Sequence, residues 1–168
     1  MPEYSLGFSE KLIEAADAVV PSCKESYDGR RTVLYLSLLA SEIALKGLLE
    51  KAGKPISEII GCQHRLSDLL AATDDCSVYT VCPGMDQHRW LPAKRIRALP
   101  IKVDDFSSTV GEFLSSERDG ASKYPNEVRY GDSVAHFHPR AALEGARTLV
   151  AWAHEHWDCF RLKPSTVQ

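Results

Sequence analysis

Paired cysteines, a secretory start and a long uncharged apolar run are all missing from this sequence, and each absence removes a class of protein. The five cysteines, Cys23, Cys62, Cys76, Cys82 and Cys159, are odd in number and irregularly spaced. That usage fits reduced thiols rather than a secreted disulfide framework. No C-x-x-C pair occurs, and neither Cys62 with His64 nor Cys76 and Cys82 with His88 has the spacing of a closed zinc site. No metal and no cofactor is expected. The first residues, MPEYSLGFSEKL, show neither the basic start nor the apolar run of an export signal, so the expected compartment is the cytoplasm. The longest nearly apolar run, Val33 to Leu49, is broken by Glu42 and Lys46 and is too short to span a bilayer. No membrane partner is expected. The glycines form no phosphate-cradling loop, and no nucleophile–base motif stands out. The net charge of −3 exerts no global pull on nucleic acid, so any anion site must be a local patch.

What is present reads as one ordinary globular domain over 1–168. The chain has 168 residues, 44% of them hydrophobic and 26% charged, enough for a core of its own. Apolar residues recur at a period near 3.6 along most of its length, the mark of amphipathic helices. Leu6, Leu12, Ile13, Ala16, Val19 and Val20 predict a first helix stopped at Pro21, followed by the loop PSCKESYDGR. The strongest helix is predicted over Arg31 to Ala52. Leu34, Leu38, Leu45 and Leu49 line one stripe, Leu39 and Ile43 flank it, and Ser37, Ala40, Ala44 and Gly47 form a small-residue stripe that invites close packing. Gly53, Lys54 and Pro55 should end it. Apolar over so much of its circumference, this helix belongs at the centre.

A shorter helix is predicted over His64 to Thr73. Residues 74–105 read as irregular, with Ser77 to Cys82 rich in strand formers but lacking a recognisable partner strand. Asp105 to Glu117 reads as a further helix capped by Asp105 or Ser107. A loop runs from there to Phe137. The last helix is predicted from Pro139 to Leu162, its core face made by Leu143, Ala146, Val150, Ala153, Trp157 and Phe160. The expected fold is all-α, an up-down bundle of four to five helices with an irregular insertion around 74–105 and no sheet of three or more strands. Leu38, Leu45, Val150 and Trp157 are expected to be nearly fully buried.

The segment Tyr35 to Leu49, YLSLLASEIALKGLL, resembles the second helix of the HEPN superfamily, whose pattern there is E-x-A-L-K-x-L-L. Glu42, Ala44, Leu45, Lys46, Leu48 and Leu49 match it. His64-Arg65-Leu66 matches the His-x-L at the start of that family's third helix, and Arg129-Tyr130 its Arg-Tyr element before the last long helix. Residues 74–105 look like an insertion into that pattern. The resemblance implies a helical bundle that pairs as a homodimer. Many such proteins are metal-independent RNA endonucleases of toxin–antitoxin, CRISPR or phage-defence systems. Others are non-catalytic and bind nucleotides or RNA. A cognate antitoxin or a nucleotidyltransferase-like protein is the implied partner.

Catalytic members carry an arginine and, a few residues on, a histidine near the start of the last helix. Arg129 and His136 have that relation, with Tyr130 beside the arginine and His138 as a neighbouring imidazole. A histidine titrating near neutrality can take the proton of a 2′-hydroxyl, and an arginine can stabilise the charge that builds on phosphorus. The bland reading is that Arg129 clamps Glu42 or Glu127 and that His136 merely precedes a helix. Glu42 lies on the apolar central helix and needs a partner. Either Arg129 supplies it, or Lys46 pairs with it one turn on at a solvated edge. From Gln87 to Val103 no acid occurs, while Arg89, Trp90, Lys94, Arg95 and Arg97 offer cations beside an aromatic ring, a pattern suited to single-stranded nucleic acid. The alternative there is a loop whose charges balance Asp74, Asp75, Asp104 and Asp105. An enzyme should hold Arg129 and His136 together in an open cleft, and a non-catalytic helical dimer binding a nucleotide, RNA or protein partner should bury Arg129 and leave His136 isolated.

Overall fold

The computed structural model describes residues 3–81, 88–116, 118, 120–131 and 137–163, with the side chains of residues 80, 81 and 88–91 outside that description. Its centre is the long apolar helix that the leucine spacing predicts. This α2 runs from Tyr27 to Ala52, four residues earlier than expected, because Ser26 caps it: its hydroxyl accepts from the Gly29 N–H at 3.1 Å. Gly53 ends it in the left-handed conformation at φ 92°, and the Lys54 N–H reaches back to the Leu49 carbonyl at 3.0 Å. The helix α1, Leu6–Val19, and the helix α7, Pro139–His156, pack along α2 and along each other. Leu34, Leu38, Leu45, Leu48 and Leu49 are wholly buried, and Val150 is nearly so. The window of α2 that is apolar enough for a bilayer is 72% buried inside the protein, as a core helix should be.

Short helices close the ends of this body: α3 (Ile56–Gly61), α4 (Leu66–Ala72), α5 (Val110–Ser115) and α6 (Asn126–Tyr130). The protein is predominantly helical, as the periodicity requires.

Residues 74–105 depart from the expected irregularity. Strand β1, Cys76–Val81, pairs antiparallel with β2, His88–Pro92, and on its other side with β5, Phe160–Leu162, so a three-stranded sheet does form at the edge of the helices. The last helix therefore stops at His156 rather than Leu162. Phe160 is buried as expected but from a strand, while Trp157 opens a 3₁₀ turn and stays half-buried, its ring over Gly47 and 5.6 Å from the Lys51 ammonium. The predicted helix start at Asp105 is replaced by a hairpin, β3 (Pro100–Val103) and β4 (Phe106–Thr109), that turns at Asp104 with φ 50°. The helix begins only at Val110, because Thr109 and Glu112 form a reciprocal capping box.

Candidate functional site

Glu42 lies mid-way along α2, only 3% exposed among leucines, so its carboxylate must be satisfied from within the fold. Three donors meet it. The Lys46 ammonium, one turn on, lies 2.7 Å from Oε1. The Tyr124 hydroxyl donates to Oε2 at 2.5 Å. The Nδ1 of His64 lies 3.1 Å from both oxygens. Arg129 is not among them, which corrects the expected Glu42–Arg129 clamp. The Lys46 pair does form, but its two side chains are 9% and 4% exposed rather than on a solvated edge. Glu127 is held by Lys123 at 3.2 Å and is likewise not a partner of Arg129.

Local structure explains how these groups converge. His64 sits in the link between α3 and α4, where Gln63 at φ 52° turns the chain. Arg65 swings away to Asp68 at 2.7 Å, leaving the His64 ring on Glu42. Tyr124 follows the 3₁₀ turn Ala121–Lys123 and is 7% exposed. Its ring meets His64 edge-on at 6.3 Å and leans on Tyr35 of α2 at 5.6 Å. Burial, with the bond to Glu42 adding to it, pushes the Tyr124 phenol far above its ordinary range, against the opposing pull of the Arg129 charge. Tyr124 is therefore a fixed donor. A cavity of about 200 Å³ beside it is lined by Arg65, Leu66, Ser67, Leu114, Ser122 and Tyr124.

Arg129 lies in the last turn of α6, exposed, its guanidinium 5.3 Å from the Tyr35 ring and 5.8 Å from Tyr130. Among the described residues it forms no ion pair. Tyr130 is 76% exposed. A second arginine supports this edge: Arg31 donates to the Arg129 carbonyl at 3.3 Å and to the Gly131 carbonyl at 2.8 Å, and stacks on Tyr27 at 4.9 Å. Gly131 ends α6 so tightly that a Cβ there would come within 2.5 Å of the Glu127 carbonyl oxygen. The Arg-Tyr element is thus helical and not part of the long loop expected there.

The remaining candidates scatter. His136 lies outside the described residues. His138 caps α7, its Nδ1 accepting from the Ala141 N–H at 3.1 Å, and no described contact joins it to Arg129. His138 also lines a separate cavity of about 270 Å³ with Lys24, Arg30, Asp104 and Arg140. In the 87–103 stretch, Arg97 is spent on a two-pronged pair with Asp74 at 3.0 and 3.2 Å, so this charge balances an acid as the alternative reading held. Lys94 and Arg95 are exposed on a 3₁₀ turn. Arg89 and Trp90 belong to the backbone of β2, opposite Thr80 and Tyr79, and their side chains lie outside the described residues. Sequence reasoning missed Tyr124 and gave His64 no role beyond starting a helix. The buried acid at Glu42 was the signal that distant donors must exist, but nothing local says which.

No protein-family model, no curated protein and no solved structure matches this chain.

Proposed function

We propose that this chain is a HEPN-like, metal-independent RNA endonuclease of the toxin–antitoxin or phage-defence type, working in the cytoplasm as a homodimer. The observation that carries the reading is Arg129: exposed, without a carboxylate partner among the described residues, and within cation–π distance of Tyr35 and of the exposed ring of Tyr130. A guanidinium that is free of carboxylates can hold a phosphate with several donors, and a neighbouring exposed ring can take a base. A buried structural clamp, the rival expectation for Arg129, would look different. His136 enters this reading through its sequence relation to Arg129 alone. A cognate antitoxin or a nucleotidyltransferase-like protein is the proposed partner.

The test is cleavage of single-stranded RNA in the presence of a chelator. Wild-type protein should cleave, Arg129→Ala should lose about 10²-fold or more in rate, in line with loss of one charge-stabilising donor, and its melting temperature should stay unchanged. Arg129→Lys should rescue poorly, since an ammonium lacks the planar fork. Wild-type protein that neither cleaves nor binds RNA at micromolar concentration refutes the reading.

A further inference from the structure

The Glu42 cluster holds one group more than its own stability requires. Lys46 already neutralises the carboxylate at 2.7 Å, and Tyr124 already binds it at 2.5 Å. His64 is the third donor, and its side chain is 58% exposed while that of Glu42 is 4% exposed. A carboxylate paired with lysine only accepts hydrogen bonds, so the His64 Nδ1 must carry the shared proton. The neutral ring then presents the bare lone pair of Nε2 at its other end. The ring is also held in place. The Tyr124 and Lys46 bonds fix the carboxylate, the carboxylate fixes Nδ1, and the Tyr124 ring borders the imidazole edge-on. This is how an acid sets the tautomer and direction of a working imidazole in metal sites and hydrolytic triads. The same tyrosine touches Tyr35, over which Arg129 sits, so one continuous run of rings joins the histidine to the phosphate-binding candidate.

We infer that His64, held by Glu42, rather than His136, is the proton acceptor of this site and acts on the 2′-hydroxyl of an RNA strand whose phosphate lies on Arg129. The inference rests on the RNA reading above. Nε2 takes the 2′-hydroxyl proton as the 2′-oxygen bonds to phosphorus. The bond from phosphorus to the 5′-oxygen breaks, and that oxygen leaves with a proton from water. The products are a 2′,3′-cyclic phosphate and a 5′-hydroxyl, and His64 returns its proton to solvent. In this scheme His64 is a catalytic residue, while Glu42 and Tyr124 are positioning residues.

Two measurements test it. In the first, His64→Ala and His64→Gln are assayed for RNA cleavage beside a melting curve and an RNA-binding titration by fluorescence anisotropy. Cleavage should fall about 10²-fold or more, the usual scale for a lost proton acceptor, with binding and melting unchanged because the ring is exposed. Tyr124→Phe should lower kcat and leave KM alone. The second is independent of activity: nitrogen-15 NMR of the His64 ring, at a pH where it is neutral, should show the proton on Nδ1 and Nε2 bare, and Tyr124→Phe should weaken that preference. If wild-type protein cleaves RNA and His64→Ala cleaves equally well, the role of His64 falls while the RNA reading stands. A proton on Nε2 also overturns the role. If wild-type protein cleaves no RNA, the reaction and the role fall together.

Discussion

Removing the Glu42 carboxylate should expose how this fold tolerates charge in its core. Take Glu42→Leu, which keeps the apolar bulk of the helix. The variant leaves the Lys46 ammonium, 9% exposed, without its anion. It also deprives the buried Tyr124 hydroxyl of its acceptor. Stranding one member of a buried ion pair costs about 3–5 kcal/mol, and an orphaned hydroxyl about 1–3 kcal/mol. The His64 end of the network faces water and adds little. The charge is the larger part, and together they put the Glu42→Leu loss at about 4–8 kcal/mol, a large share of the roughly 5–15 kcal/mol that stabilises a domain of this kind. Adding Lys46→Met removes the stranded charge and should recover most of that loss, while adding Tyr124→Phe as well should recover part of the remainder. Urea unfolding followed by circular dichroism, at low temperature so that the single variant stays folded, measures all three. A Glu42→Leu loss below about 1 kcal/mol, the scale of an exposed pair, would refute the reasoning. So would a double variant no better than the single one.

Other consequences are simpler. Leu45→Ala, at a fully buried position on α2, should cost about 2–5 kcal/mol by cavity formation, read from the same unfolding curves. Burial pushes the Cys76 thiol up from 9.0 to about 11. Because the folded value lies above the unfolded one, the stability it contributes is intact below about pH 9 and is lost as pH rises through about 11. Native protein at pH 8 should therefore alkylate slowly at Cys76, which mass spectrometry after a timed quench will show. For the homodimer, light scattering at micromolar concentration should give twice the chain mass, with an interface above about 1,000 Å². A monomer there counts against it. That expectation rests on the HEPN resemblance. Among the described residues the exposed large apolar side chains are Phe8, Ile60 and Tyr130.

The helical body was legible because its determinants are local. Leucines three and four apart along α2, and the Gly53-Lys54-Pro55 stop, act within one or two turns of the residues they control. The capping box at Thr109 was equally local, yet it went unread behind Asp105 and Ser107, because Phe106–Thr109 is short enough to suit a helix entry or a strand. The sheet was not legible. β1 looks like a strand by itself, but its partner β5 lies some eighty residues on, inside what periodicity alone continues as a helix.

The candidate site divides along the same line. The sequence by itself determined that a carboxylate stands in the most apolar helix of the chain, and the physics of burial then demanded a counter-charge or donors. It equally determined that Arg129 and Tyr130 adjoin. Only the tertiary structure decided that Glu42 is answered by Lys46, Tyr124 and His64, and that Arg129 is left at the surface on a tyrosine ring. Lys46 follows from helix geometry, one turn away. Tyr124 and His64 arrive from links 82 and 22 residues distant. Their arrival depends on how α4 and the turn before Tyr124 pack against α2, an outcome of the whole chain's burial that no local pattern encodes.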